Sequence, residues 1–344
     1  MSKYYLHDFN ITKPVGCITN CRIIMSLFFL FTSCGIYVQR HWRRSVQHYI
    51  IGELLPKRKF EMPLPDYHQP VNQFYSSFIQ IIYMNLDLTK RTALVCGSTQ
   101  GLGYASAVEL ALLGCNVVLM ARNKDKLPEA VKTLDQSKQQ QHQWLVADFT
   151  DTNAVKSAID EFVKTNPVNI LINNTGGPPG GAALTAKPED FLSAFNNHLI
   201  NNHNLAQAVV PGMKAAGFGR IINIISTSVK SPIAGLGVSN TIRAAVANWA
   251  KTLATELGPF GITVNNVLPG FTKTVRADYV IASKAKAHNS TEEAVLKNLV
   301  AEIPVGRIGE PEEFGAAVAF LCSSAAANIN GINLPVDGGR LGCL

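Results

Sequence analysis

The sequence predicts an α/β protein: a single doubly wound parallel sheet of about seven strands, with helices on both faces and an N-terminal extension in front of it. Three observations carry this. From Thr92 onward, short apolar runs rich in β-branched residues alternate with stretches of helical period. A glycine-rich turn joins the first such run to the first helical stretch. Composition changes near Met84: residues 1–83 hold 15 of the 28 aromatics but only 3 of the 26 glycines.

The predicted strands are 92–97, 116–121, 143–148, 168–173, 219–225, 261–267 and a weaker 332–336. Most are nearly unbroken apolar runs (TALVCG, NVVLMA, VNILIN), as expected of strands buried on both faces. Between them, helical spacing covers 102–113, 124–137, 152–164, 189–216, 235–257 and 311–324. A strand followed by a helix and another strand requires a crossover, which makes neighbouring strands parallel. Within 272–307, KAKAHNSTEEAVLKNLV reads as an amphipathic helix beginning at Ser290 or Thr291. Glu292 and Glu293 stand in its first turn, where carboxylates meet the helix dipole favourably. The predicted domain is 84–344.

The 344 residues carry a net charge of +7, with 47% hydrophobic and 16% charged side chains, which excludes a disordered or low-complexity chain. Residues 1–83 hold nine Lys/Arg against four Asp/Glu; the remainder is almost balanced. No basic run lies in the globular part, so no nucleic-acid partner is expected. Seven scattered cysteines, with Cys17 and Cys21 lacking a second pair at zinc spacing, suggest free thiols in a reducing compartment and no metal. Residues 23–38 are uncharged but only 16 long, short for a membrane span, and are flanked by Arg22 and by Arg40, Arg43 and Arg44. Three readings stay open: an anchor facing the cytoplasm, a cleaved signal, or an extension upstream of a start at Met84.

The first strand runs into Gly97-Ser98-Thr-Gln-Gly101-Leu102-Gly103 and then a helix. Such a turn lets backbone N–H groups and a helix N-terminus approach a pyrophosphate. The G-x-x-x-G-x-G spacing resembles that of the short-chain dehydrogenase/reductase family. The resemblance runs from 88 to 340. Asp148 and Phe149 follow the third strand, Asn173, Asn174 and Gly176 the fourth, and Pro269, Gly270, Thr272 and Thr274 the sixth. Val336-Asp-Gly-Gly339 matches a C-terminal signature. The resemblance implies a Rossmann-type fold, with these residues around a dinucleotide. Ala121-Arg122 ends the second strand without an acid, and a guanidinium there suits a 2′-phosphate, so NADP(H) is the expected cofactor.

The family's usual catalytic set is serine, tyrosine and lysine, supported by an asparagine. Here Ser226 fits the serine, but Ser239 and Arg243 stand where tyrosine and lysine belong, and His198 falls at the asparagine, beside Asn197. A serine hydroxyl is a far weaker acid than a phenol, so the usual proton donor is missing. Lys230, His198 and Tyr279 are candidate substitutes. The loop Thr175-Gly-Gly-Pro-Pro-Gly-Gly181, with the Ser239-Asn-x-x-Arg243 segment, resembles the family's divergent 3-oxoacyl-[acyl-carrier-protein] reductase-like branch. The expected activity is hydride transfer between NADP(H) and a small carbonyl or alcohol, a 3-oxoacyl compound among them. The alternative is a silent NADP(H)-binding sensor or assembly protein. A cytoplasmic homodimer or homotetramer is the expected state, with membrane contact only through 23–38.

Overall fold

In β1 (Thr92–Cys96), four of the five residues are fully buried, because the strand lies between others and under helices on both faces. The computed structural model describes residues 84–343. The readings of 1–83, including the 23–38 segment, lie outside them. The other strands are β2 (Asn116–Ala121), β3 (Gln143–Val146), β4 (Ile170–Asn173), β5 (Gly219–Ile224), β6 (Ile262–Pro269) and β7 (Asn333–Val336). They form one sheet in the order β3-β2-β1-β4-β5-β6-β7, and every pair is parallel. The expected Rossmann-type sheet is therefore present. At the edge, β3 is largely exposed and ends at Val146, two residues earlier than the sequence suggests.

The helices are α1 (Gly101–Leu112), α2 (Lys126–Lys132), α3 (Thr152–Phe162), α4 (Pro188–Phe195), α5 (Asn201–Ala215), α6 (Gly237–Leu257), α7 (Val275–Ala287), α8 (Glu292–Ala301) and α9 (Pro311–Cys322). Two apolar layers result. One packs Leu110, Phe314 and Val318 of α1 and α9 on the sheet; the other packs Ile159, Leu205 and Ala250 of α3, α5 and α6 on the opposite face. Gly315 lets α9 approach α1, since a Cβ there would lie 2.7 Å from the Ala105 carbonyl.

Two helices differ from their predicted spans. α2 starts late because Asn123 Oδ1 accepts from the Asp125 and Lys126 amides, holding the preceding turn. The span 189–216 is not one helix: a π-helical turn at Asn196–Ile200 separates α4 from α5. α8 begins where its charges indicate, with Thr291 Oγ1 accepting from the Ala294 amide.

A ladder of side-chain amides, buried at Asn173, Asn223 and Asn266, crosses four strands. Asn173 donates to Asn223 (2.8 Å), Asn223 to Asn266 (2.9 Å) and Asn266 to Asn333 (2.8 Å). The parallel register sets these residues directly abreast. In β4 and β5 the ladder lies next to the carboxyl ends of the strands, and it ties β4 to the sheet beside the site.

Candidate active site

The strand order reverses between β1 and β4, and a crevice opens there at the carboxyl ends. A cleft of about 920 Å3 occupies it, with walls that include Gly101, Arg122, Asp148, Ser226, Ser239 and Arg243.

Its floor is built from the glycine turn. Gly97 has φ +56°, and a Cβ on it would lie 2.8 Å from Asn174. Gly101 has φ +63°, and a Cβ on it would make only ordinary contact with Thr274 at 3.8 Å, so its role is the turn itself. Gly103 serves packing: its Cβ would lie 2.5 Å from the Gly97 carbonyl. Asn174 locks the turn by donating to the carbonyls of Cys96 and Gly97. Gln100 at the N-cap of α1 makes no side-chain cap, leaving the first-turn amides free for an anion. Ser98 is buried and accepts from the Met120 amide at 3.1 Å, so its side chain joins β1 to β2 rather than facing the cleft. Leu102, Phe149, Asn174, Gly176, Pro269, Gly270, Thr272 and Thr274 all reach the cleft wall. Behind Gly270, a Cβ would meet Asp337 at 2.5 Å, which explains the packing of the C-terminal glycine signature. These features fit a dinucleotide: free amides at a helix start, close backbone approach, and a long open crevice.

At one end Arg122, exposed, and Lys126 face the cleft. Asp148 accepts from the Thr150 amide and hydroxyl, and these bonds, with Arg122 nearby, hold its carboxyl below the usual range.

At the other end the β5 carboxyl terminus delivers Ser226, whose Oγ accepts from the Ser228 amide at 3.1 Å. Ser239 and Arg243 lie one turn apart on α6, on the same helix face. The start of α6 is pinned to the glycine-proline loop: Gly181 donates to Gly235, and Gly237 to Gly181. Arg243 is buried. Its Nη1 donates to the Ile224 carbonyl at 2.9 Å, while Nε has no partner. Burial lowers the guanidinium to about 10, so it stays charged at neutral pH.

The π turn sends neighbouring residues to different compartments. Asn197 lines the cleft, while His198 is buried at 3% exposure. His198 borders a small cavity of about 10 Å3, together with Asn173, Asn202 and Arg243. Asn173 Oδ1 and Arg243 Nε are both buried without partners among the described residues, and both residues line this cavity. Burial first, and Arg243 second, push the imidazole down to about 3. The ordinary titration range that made His198 a candidate acid is therefore lost in this environment. Lys230 and Tyr279 are not on the cleft wall, and Tyr279 is 64% exposed. Arg276 and Lys126 line the cleft but were not singled out from sequence. Arg276 follows Thr274 by two positions, which was the available signal.

A parallel sheet with this order, a glycine turn under an uncapped helix and a crevice at the switch point defines a dinucleotide-binding α/β protein. Residues 97–340 match the family described as enoyl-(acyl carrier protein) reductase. The NADPH-dependent reductase BacG of Bacillus subtilis is 31% identical over 74% of this chain and 99% of its own length. The 3-oxoacyl-[acyl-carrier-protein] reductase FabG of Pseudomonas aeruginosa is 31% identical over 74% and 98%. L-sorbose reductase of Gluconobacter frateurii, solved with NADPH and L-sorbose, superposes with a TM-score of 0.71 at 29% identity, covering 76% of this chain and all of that one. The chain belongs to the short-chain dehydrogenase/reductase family.

Proposed function

We propose that the protein is an NADP(H)-dependent oxidoreductase interconverting a carbonyl compound and an alcohol by hydride transfer, with 3-oxoacyl compounds among the candidate substrates. The observation that carries this is one cleft walled by the glycine turn, Arg122 and Ser226 together. The cofactor supplies the hydride. The α1 amides and the glycine turn would hold the pyrophosphate, and Arg122 and Lys126 the 2′-phosphate. Asp148 and Phe149 would border the adenine. Gly176, Pro269, Gly270, Thr272 and Thr274 would border the nicotinamide half. Ser226 orients the carbonyl oxygen through its hydroxyl. Arg243 offers charge and N–H donors to ribose hydroxyls or to oxygen, but stays protonated near neutrality.

The relatives named above are NADPH-dependent or 3-oxoacyl reductases by their own descriptions, which supports the same reading. Ser239 and Arg243 in place of a phenol and an amine favour a second reading, a protein that binds NADP(H) without turnover. A homodimer or homotetramer belongs to either reading. The test is titration of the full chain with NADPH and NADH by fluorescence, followed by 3-oxoacyl thioesters, quinones and ketones. Binding with substrate-dependent oxidation supports the enzyme. Binding without turnover on every compound supports the silent protein, and no binding removes both.

A further inference from the structure

One cation of the cleft wall stands without an anion. Arg122 and Lys126 lie at the 2′-phosphate end with Asp148, the one acidic side chain on the wall. Arg276 begins α7 beside Thr274, whose Cγ2 is 3.8 Å from where a Cβ on Gly101 would sit, which places it toward the glycine turn and the pyrophosphate. Arg243 remains, at the inner end with Ser226, Ser239 and Asn197. It is 8% exposed, and no carboxylate lies within 4 Å of it among the described residues. His198, close by, is neutral.

The hydrogen bonding of Arg243 is as incomplete as its charge balance. A guanidinium has five N–H donors. Nη1 donates to the Ile224 carbonyl at 2.9 Å, while Nε is buried without a partner among the described residues. Nη2 stands beside Gly177 on the cleft wall, 3.8 Å from where a Cβ on that residue would be, and Gly177 has no side chain to cover it. Ribose hydroxyls can accept some of these donors, but they are neutral and leave the charge uncompensated. Hydride transfer out of the nicotinamide leaves a second positive charge at this end. A buried guanidinium is stabilised by an anion that accepts its N–H groups, and a carboxylate matches its planar fork.

We infer that the carbonyl substrate is an oxo acid: its free carboxylate seats on Arg243, while Ser226 and Ser239 orient its carbonyl oxygen. This rests on the cleft being an NADP(H)-dependent carbonyl-reducing site, and it favours a free acid over a thioester. Ser239 and Arg243 lie one turn apart on the same face of α6, with Cβ atoms about 5–6 Å apart. That spacing suits a carboxylate and a carbonyl joined directly or through one carbon. In reduction the carbonyl carbon gains hydride from NADPH and its π pair moves to oxygen. That oxygen takes a proton from water, solvent neutralises the hydroxide, and the carboxylate is unchanged.

The seat is tested first without turnover. Oxamate and malonamate are unreactive amides shaped like a 2-oxo and a 3-oxo acid. The full chain, saturated with NADPH, is titrated with each and with its methyl ester, following nicotinamide fluorescence. One of the acids should bind about 10–100-fold tighter than its ester, the worth of one or two charge-assisted hydrogen bonds, and which acid does so reports the spacing. Arg243→Gln should remove that preference and Arg243→Lys should keep part of it. A preference that persists in Arg243→Gln overturns the role of Arg243. Equal binding of acid and ester to the native protein overturns the seat, whether or not the variants fold. The substrate is then tested by comparing pyruvate and acetoacetate with their methyl esters. A higher kcat/KM for the matching acid is expected. Preference for the ester overturns the inference while leaving the oxidoreductase reading in place. Selective binding of an acid that is not reduced overturns the substrate assignment and favours the silent protein. Failure to bind NADPH removes the reading and the inference together.

Discussion

Gly97 carries two constraints at once, a left-handed backbone and a contact with Asn174 at 2.8 Å for any added Cβ. Gly97→Ala should therefore destabilise the protein by about 1–3 kcal/mol and weaken NADPH binding. Thermal unfolding and fluorescence titration on the same sample check both. Arg122 stands exposed at the end of β2 with no carboxylate in the ribose-acid position. Arg122→Ala should weaken NADPH by about 10–100-fold, the worth of one or two charge-assisted hydrogen bonds, and leave NADH unchanged. Equal losses for both nucleotides would remove Arg122 from phosphate recognition. Both residues were legible in the sequence, because each belongs to a turn whose chemistry is local.

The π turn between α4 and α5 and the asparagine ladder were not legible. Periodicity over 189–216 gives one long helix, and the single offset that separates Asn197 from His198 leaves no trace in residue types. Its consequence is a pH dependence. The folded pKa of His198, about 3, lies below the ordinary 6.5, so the neutral form is the native one. Between those values the unfolded chain binds a proton that the native chain refuses. The contribution is complete above 6.5 and is lost as pH falls toward 3, by at most about 1.4 kcal/mol per pH unit. Denaturant midpoints measured from pH 7 to 4 should fall more steeply in the native protein than in His198→Gln. Parallel slopes would place the imidazole in contact with water. The ladder makes a second claim at this scale. Asn223→Leu strands the Asn173 amide and the Asn266 carbonyl inside the sheet. The expected loss is about 2–4 kcal/mol in denaturant unfolding, from two unsatisfied groups.

At and just before α4, three large apolar side chains stand exposed: Leu184 is 97% exposed, Leu192 64% and Phe195 37%. Single exposed apolar residues are ordinary, but three within twelve positions suit an interface. The proposed oligomer can be read by light scattering after size exclusion. A dimer or tetramer that becomes smaller in Leu192→Asp places the contact here. A monomeric native protein dismisses it. Among the described residues no helix is long and apolar enough to cross a membrane.

The sequence by itself determined the parallel sheet, its seven strands and the glycine turn. These follow from periodicities of two and 3.6 residues and from turn chemistry, all interactions between near neighbours in the chain. Tertiary structure decided the electrostatics of the site. It buried His198 beside a small cavity, left Lys230 and Tyr279 off the cleft wall, and buried Arg243 with no carboxylate partner among the described residues. Desolvation depends on what surrounds a group in three dimensions, and a charge has no fixed energy until its neighbours across the fold are known.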